Sequence, residues 1–386
     1  MNRHALVIGA GLAGISVGFG LVQRGWRVTV IDLGNGPANG ASGLPVGMLS
    51  PLHTRHPTPM SRLCELGLHA TLTHLQRLLP EGQGWRSIDV RSFQVNNTHS
   101  GLELEHEEHG HLVSPSALVQ AWLQACEGPQ LTLMTGHTVS SVRPAVDAHQ
   151  WCAVGQGNHV IAQADVAVVC NAFAATRLLP AHMTLGLTAV AGQITYGPAD
   201  PRATSCRQPA LRHKGVYAPN FQTNRTETIW SMGATYHRGV SSPTPDPRDD
   251  DANRASLAEL ATISPQAMSA LTLFDKQAAS GELRSWVGVR CASIDRLPIC
   301  GSLPDAATMA TLTDSSKRDN VATAPGLFGL LALGSRGLSL APLLGEVLAA
   351  QIDGDTAMLL PPDLLRAIDP RRAPLQVMRQ ARRQQC

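Results

Sequence analysis

The chain has 386 residues, 43% of them hydrophobic and 16% charged, a composition that supports a large buried core, leaves room for two domains and excludes a disordered chain. A formal charge of +2 is too small to argue for a general nucleic-acid binder, and no run approaches twenty uninterrupted apolar residues, so no membrane span is expected. Eight cysteines are scattered without a C-x-x-C pair, which fits reduced thiols in a cytoplasmic protein better than a disulfide framework or a zinc cluster.

The chain enters Ala5-Leu6-Val7-Ile8 almost at once, so no secretion signal is expected, and this short apolar run reads as a buried parallel strand. Gly9, Gly11 and Gly14 follow as G-x-G-x-x-G and lead into a helical pattern over residues 13–24. Val28-Thr29-Val30-Ile31 is a second strand, closing on Asp32. Strand, glycine turn, helix, strand and acid stand in the order and spacing of a dinucleotide-binding βαβ unit. There the glycines serve the tight turn, the close approach to pyrophosphate and helix–strand packing, while the helix N-terminus attracts phosphate and the acid accepts from ribose. The unit alone does not separate NAD from FAD.

Residues 34–47 form a Gly/Pro/Asn-rich loop holding Gly40-Ala41-Ser42-Gly43, where backbone is expected to pass close to a second part of the ligand. An amphipathic helix is expected over 59–79, then short polar strands over 85–112. The stretch 105–111 reads as a charged hairpin turn. Its histidines are three or fewer residues apart, not the four of a zinc-binding helix, so no metal site is expected. Ser114 caps a helix over 117–126, and strands follow at 131–134 and from 138. Asp165-Val166-Ala167-Val168-Val169-Cys170 is a buried strand ending at Asn171. Residues 185–286 show strand-like alternation, interrupted by a Pro/Asp-rich loop at 241–251 and a helix near 252–260, while the polar stretch 302–325 is not expected to pack. Leu327 to Leu333 is again a buried strand, Gly334-Ser335-Arg336-Gly337 a tight turn, and 338–352 a helix. A second helix N-terminus aimed at a different part of the ligand suits an extended FAD better than NAD.

These motifs, with Gly288-Val289-Arg290 and Leu297-Pro298-Ile299-Cys300-Gly301, resemble the glycine/D-amino-acid oxidase class of flavoproteins. Within it, the strings 233–239, 288–298 and 333–351 are similar to the FAD-dependent oxidase half of a bifunctional tRNA-modification family. The resemblance implies an α/β fold: a Rossmann-like FAD-binding domain (1–58, 112–184, 287–386) with an inserted antiparallel-sheet α+β substrate domain (59–111, 185–286). It implies FAD held by Gly9, Gly11, Leu12, Ala13, Gly14, Asp32, Ala41, Ser42, Gly43, Val139, Asn171, Gly334, Ser335, Arg336, Gly337 and Leu338. Leu44-Pro45-Val46 departs from the more polar loop of the family. The implied reaction removes the carboxymethyl group from 5-carboxymethylaminomethyl(-2-thio)uridine at the tRNA wobble position, with dioxygen as electron acceptor. The fused methyltransferase half is absent from the sequence, so a stand-alone oxidase, with a separate methyltransferase, is expected.

Arg290 matches the carboxylate-binding arginine of the glycine-oxidase motif, and a guanidinium binds a carboxylate in two-pronged fashion. The alternative is an ion pair with Asp295. Tyr236, His237 and Arg238 are candidates to line the substrate pocket, or else a cross-strand packing residue and solvated neighbours. Arg336 is expected over the flavin pyrimidine end, or serves the turn alone. For tRNA, the candidate contacts are Arg202, Arg207, Arg212 and Lys214, the 302–325 stretch, and a tail after Pro370 that has five arginines and no acidic residue. That tail carries +5 and the rest of the chain −3. Oxidation of a free amino acid such as glycine or sarcosine, or a flavin-binding role without turnover, would use the same fold.

Overall fold

A computed structural model describes residues 3–96, 101–126, 128–146, 150–180, 183–200, 208–223, 227–309, 312, 318–355 and 359–385. Its first layer is a six-stranded sheet in the order Ile299–Pro304, Thr323–Leu331, Val166–Val169, His4–Ile8, Arg27–Ile31, Leu131–Met134. All neighbours are parallel except the first pair, which is antiparallel. The central strand His4–Ile8 alternates between two cores. Ala5 and Val7 join the helices on one face, and Leu6 and Ile8 join the apolar side chains on the other. That double burial is why the strand reads as a continuous apolar run.

The helix face is built by Leu12–Val22, Pro59–Leu78, Pro115–Ala125 and Gly337–Asp353. The first and last cross closely through small residues: a Cβ on Gly20 would lie 2.9 Å from Cβ of Ala349, and one on Gly345 would lie 2.4 Å from Oγ of Ser16. Thr58 and Ser61 form a capping box that starts the helix Pro59–Leu78. This helix buries Leu63, Cys64 and Leu75 in the nucleotide-side core and packs on Gly337–Asp353, where a Cβ at Gly67 would meet Ser339 O at 1.9 Å. It belongs by packing to the parallel sheet, although residues 59–111 read in sequence as part of the substrate unit.

The second layer is a nine-stranded sheet comprising Gly47–Leu49, Trp85–Val95, Leu102–Val113, Thr188–Pro198, Ala210–Arg212, Val216–Gln222, Thr228–Gly233, His237–Arg238 and Arg284–Ala292. It is antiparallel apart from one parallel joint between Ala210–Arg212 and Val90–Ser92. Its pairing runs on through Ala292, past the residue-286 border expected from sequence. One face packs Tyr217, Trp230 and Met232 against the helices Pro247–Ala261 and Pro265–Ser280.

Several expectations are corrected. Residues 105–111 are not a turn: they lie within the strand Leu102–Val113, which pairs over its length with Trp85–Val95. The helix expected at 252–260 begins at Pro247, where Asp246 caps it. Pro265–Ser280 is helical, although its stretch read as strand-like; Ser264 caps it, Pro265 occupies its first turn and Gly281 ends it in the left-handed conformation. Residues 141–144, 151–154 and 160–164 form a separate three-stranded sheet. The 302–325 stretch is packed at both ends, with Leu303, Val321 and Ala324 buried, because the two strands it joins pair with each other. Its middle lies largely outside the described residues. No helix among the described residues is long and apolar enough to cross a membrane.

Candidate active site

A cavity of about 1060 Å³ lies between the two layers, lined from Gly9 and Asp32 at one side to Tyr236 and Arg290 at the other. The turn after the first strand needs glycine twice. Gly9 has φ 110°, and a Cβ on Gly14 would lie 1.8 Å from Gly9 O, so the helix seats directly on the turn. Asp32 folds back over this turn, accepting from Ala10 N and Gly34 N at 2.7 Å each. Each carboxylate oxygen keeps acceptor capacity for a ribose hydroxyl. Ser42 Oγ accepts from Leu12 N at 2.9 Å, putting a hydroxyl at the positive end of the helix Leu12–Val22.

Ala13, Ala41, Val139 and Asn171 continue the wall, and Gly334, Ser335, Arg336, Gly337 and Leu338 complete it. Of the residues expected to hold the cofactor, Gly14 and Gly43 are the two that do not line the cavity. Gly14 acts through packing. Gly43 sits where a Cβ would meet Ala38 O at 2.8 Å, so it too shapes the loop from behind. Arg336 is half-buried and its guanidinium lies beside the thiol of Cys64 in the helix Pro59–Leu78; burial pushes that thiol's pKa up, and Arg336 opposes the rise.

The other side is organised by Arg290 on the strand Arg284–Ala292. Trp286, Gly288 and Arg290 are spaced by two, share a face and line the cavity. Arg290 pairs in register with Val190, and the neighbouring Gly192 leaves the space the guanidinium occupies: a Cβ there would lie 2.1 Å from Nη1. The guanidinium carbon stands 4.5 Å from the Tyr236 ring centroid, and Nη1 reaches Thr235 O at 3.5 Å. Tyr236 OH in turn meets Ser335 Oγ at 3.2 Å, tying the substrate-side wall to the last glycine turn. Burial lowers the Arg290 pKa from its ordinary value, yet a guanidinium stays charged.

Among the described residues no carboxylate lies within ion-pair distance of Arg290. Asp295 instead pairs with Arg372 at 2.9 Å and accepts from Gln376. Burial pushes the Asp295 pKa up, but these partners outweigh it and hold it at about 2.

Arg238 is a correction. It is exposed on an edge strand opposite Val190 and does not line the cavity. His237 also turns away, to Asp249 at 2.7 Å. The expected tRNA contacts are mostly engaged: Arg212 pairs with Glu108, Lys214 with Glu259, and Arg371 with Asp369. Arg202 and Arg207 lie outside the described residues. Trp286 and Gly192 were not singled out from sequence. For Trp286, four residues before Arg290 and thus on the same strand face, the alternation through Gly288 is a usable signal; for Gly192, four strand positions before Tyr196 and far from Arg290 in the chain, there is none. Six described cysteines are buried and unpaired, and burial pushes Cys170 and Cys291 up to about 12, which keeps these two in the thiol form.

A family model described as FAD dependent oxidoreductase, DAO, matches residues 4–93 and 91–351. The chain belongs to this family. DAO-family chains similar to it include the tRNA 5-methylaminomethyl-2-thiouridine biosynthesis bifunctional proteins MnmC of Polaromonas sp. (strain JS666 / ATCC BAA-500), 30% identical over 91% of this chain and 56% of the relative. That of Paracidovorax citrulli is 31% identical over 96% and 60%. The chain thus spans a little over half the length of these curated relatives. In fold it is similar to glycine oxidase from Geobacillus kaustophilus, with TM-score 0.70 and 17% identity over 95% of this chain and 98% of that one. Iminodiacetate oxidase from Chelativorans sp. BNC1 superposes with TM-score 0.67 at 19% identity over 95% and 98%.

As a DAO-family oxidoreductase the protein depends on FAD, and the residues present fit that group. Asn171 Oδ1 is buried in the wall without a hydrogen-bond partner, the Gly9–Gly14 turn leaves backbone open to a pyrophosphate, and two helix N-termini line one cavity.

Proposed function

We propose that the protein oxidatively removes the carboxymethyl group of 5-carboxymethylaminomethyl(-2-thio)uridine at the tRNA wobble position. The C–N bond of the N-substituted glycine loses two hydrogens, water adds across the resulting C=N bond, and glyoxylate leaves the 5-aminomethyl nucleoside. FAD, when bound, supplies the two-electron acceptor, and dioxygen is the proposed final oxidant.

The observation that carries the reading is Arg290: a half-buried guanidinium on the cavity wall with no acidic partner among the described residues. A cation left uncompensated there suits an anionic ligand, and the two-pronged fit of guanidinium to carboxylate suits an N-substituted glycine. The Tyr236 ring under the guanidinium limits its swing, and Gly192 gives it room to face the cavity. The amides at the start of the helix Gly337–Asp353 present a positive dipole end to the cavity, which would favour negative charge on a flavin held there. A tRNA uridine as substrate is supported by the names of the similar relatives, which state tRNA 5-methylaminomethyl-2-thiouridine biosynthesis, and a methyltransferase acting on the product would be a separate activity.

A second reading, oxidation of a free N-alkylglycine, is favoured by the engagement of Arg212 and Lys214 in ion pairs. Nucleoside analysis of tRNA from cells lacking the protein tests the first: accumulated 5-carboxymethylaminomethyl uridine is expected, and an unchanged profile would favour the second. In vitro, turnover of tRNA should fall steeply between about 50 and 200 mM salt, whereas turnover of a free N-alkylglycine should not.

A further inference from the structure

We infer that His53, His106 and Glu108 form a binding site for a divalent transition metal, with zinc as the best fit, on the cavity wall made by the large sheet. His106 and Glu108 are two residues apart on the strand Leu102–Val113, so strand periodicity puts both on one face. The strand Gly47–Leu49 runs antiparallel beside it with Leu49 opposite His111, and the irregular segment that leaves its end carries His53 to the pair, where its Nε2 meets Glu108 Oε2. A ligand 53 residues upstream of His106 is thereby brought in by the loop that follows the paired strand. The ring nitrogens of both histidines and a Glu108 oxygen lie within 4.8 Å of one another. His106 Nε2 stands 3.8 Å from Glu108 Oε2, near the roughly 3.3 Å that separates ligand atoms around a tetrahedral ion with bonds of about 2 Å.

Without an ion, His53 Nε2 and Glu108 Oε2 share a hydrogen bond, which a bound ion would replace by taking both atoms as ligands; three further observations favour that ion. His106 Nε2 is buried and has no hydrogen-bond partner, while Glu105 lies 3.7 Å from its Nδ1, on the side that holds the proton when Nε2 is a ligand. Glu108 is held from behind: Arg212 Nη1 donates to its Oε1 at 2.9 Å and Nη2 donates to Ser50 Oγ, leaving Oε2 to the histidines. The carboxylate is thus oriented and polarised by a partner outside the ligand set. Two imidazoles and one carboxylate are a donor set that zinc accepts with a fourth position open. His53 and His106 both line the cavity, so the open position faces it and would take water or an anionic oxygen of a ligand entering there.

The inference does not depend on whether the substrate is tRNA. Isothermal titration of the chelator-washed, FAD-loaded protein with Zn²⁺ tests it. One equivalent bound at micromolar affinity or tighter is expected, weakened at least tenfold in both His53→Ala and His106→Ala and unchanged in His159→Ala, an exposed histidine outside the cluster. His53 is itself exposed, so its replacement leaves the fold intact and decides the matter if His106→Ala does not fold. X-ray absorption at the zinc edge should show two imidazoles in the first shell. A parent protein that takes up no zinc below millimolar concentration, or His53→Ala and His106→Ala variants that bind as tightly as the parent, would overturn the assignment.

Discussion

The two sides of the cavity are built in opposite ways. The nucleotide side is mostly local: Gly9, Gly11, Gly14 and Asp32 fall within one βαβ unit, and the contacts that shape the turn are made inside it or from the loop that follows, except where the backbone of Cys170 and Asn171 closes on Gly9. The opposite wall is assembled from afar: Arg290 comes from one strand, Gly192 from another, Tyr236 from a third segment, and Ser335 from the turn that returns to the nucleotide side. On the function proposed above, the first side meets what the ligands of many proteins share, a pyrophosphate and a ribose, and tolerates no change of shape. On the same reading the second carries the choice of substrate and is held by a few side-chain contacts.

If this contrast is right, damage to the two sides should separate. Arg290→Ala should retain flavin absorbance near 450 nm while kcat/KM for the N-carboxymethyl substrate falls by about 10²–10⁴, the loss of two charge-assisted hydrogen bonds. A variant as active as the parent would remove the carboxylate clamp. Gly14→Val should do the reverse, with a side chain driven into Gly9 O: destabilisation of about 3 kcal/mol or more, and protein purified without flavin. Retention of stoichiometric FAD by that variant would break the contrast.

A smaller effect concerns the Asp295–Arg372 pair, which follows Arg290 in the chain. Asp295 is held at about 2, below its ordinary 3.8, so between these values the folded protein binds fewer protons than the unfolded chain. The resulting stability, on the order of 2 kcal/mol, is fully present above about pH 4 and is lost as pH falls toward 2. Arg372→Ala should lower the melting temperature at neutral pH and flatten that acid limb; an unchanged limb would show that the pair contributes nothing. Smallest of all, Tyr236→Phe keeps the ring under Arg290 and removes only the contact to Ser335, so KM should rise by less than about tenfold with flavin content unchanged.

How much of this was legible depended on range. The first βαβ unit, the helix begun by Pro59 and the C-terminal strand–turn–helix follow from apolar periodicity, caps and glycines, and the structure has them within a few residues of where they are expected. The helix Pro265–Ser280 carried its own signals in Ser264, Pro265 and Gly281, which the surrounding strand-like alternation obscured. Residues 105–111 looked like a turn because charge is a poor guide on a strand with one face toward solvent; only pairing with Trp85–Val95 makes it a strand.

By itself the sequence determined the cofactor side, because βαβ geometry is set by neighbours in the chain and a missing Cβ is written in the residue name. It also marked Arg290 as the residue to watch. Only the tertiary structure decided that Asp295 belongs to Arg372 and not to Arg290, that Arg238 faces away, and that His53 joins His106 and Glu108. Arg238 faces away through strand register, which moves a side chain from one face of the sheet to the other with a shift of a single residue, whereas Asp295 and His53 sit on irregular segments whose partners come from elements distant in the chain.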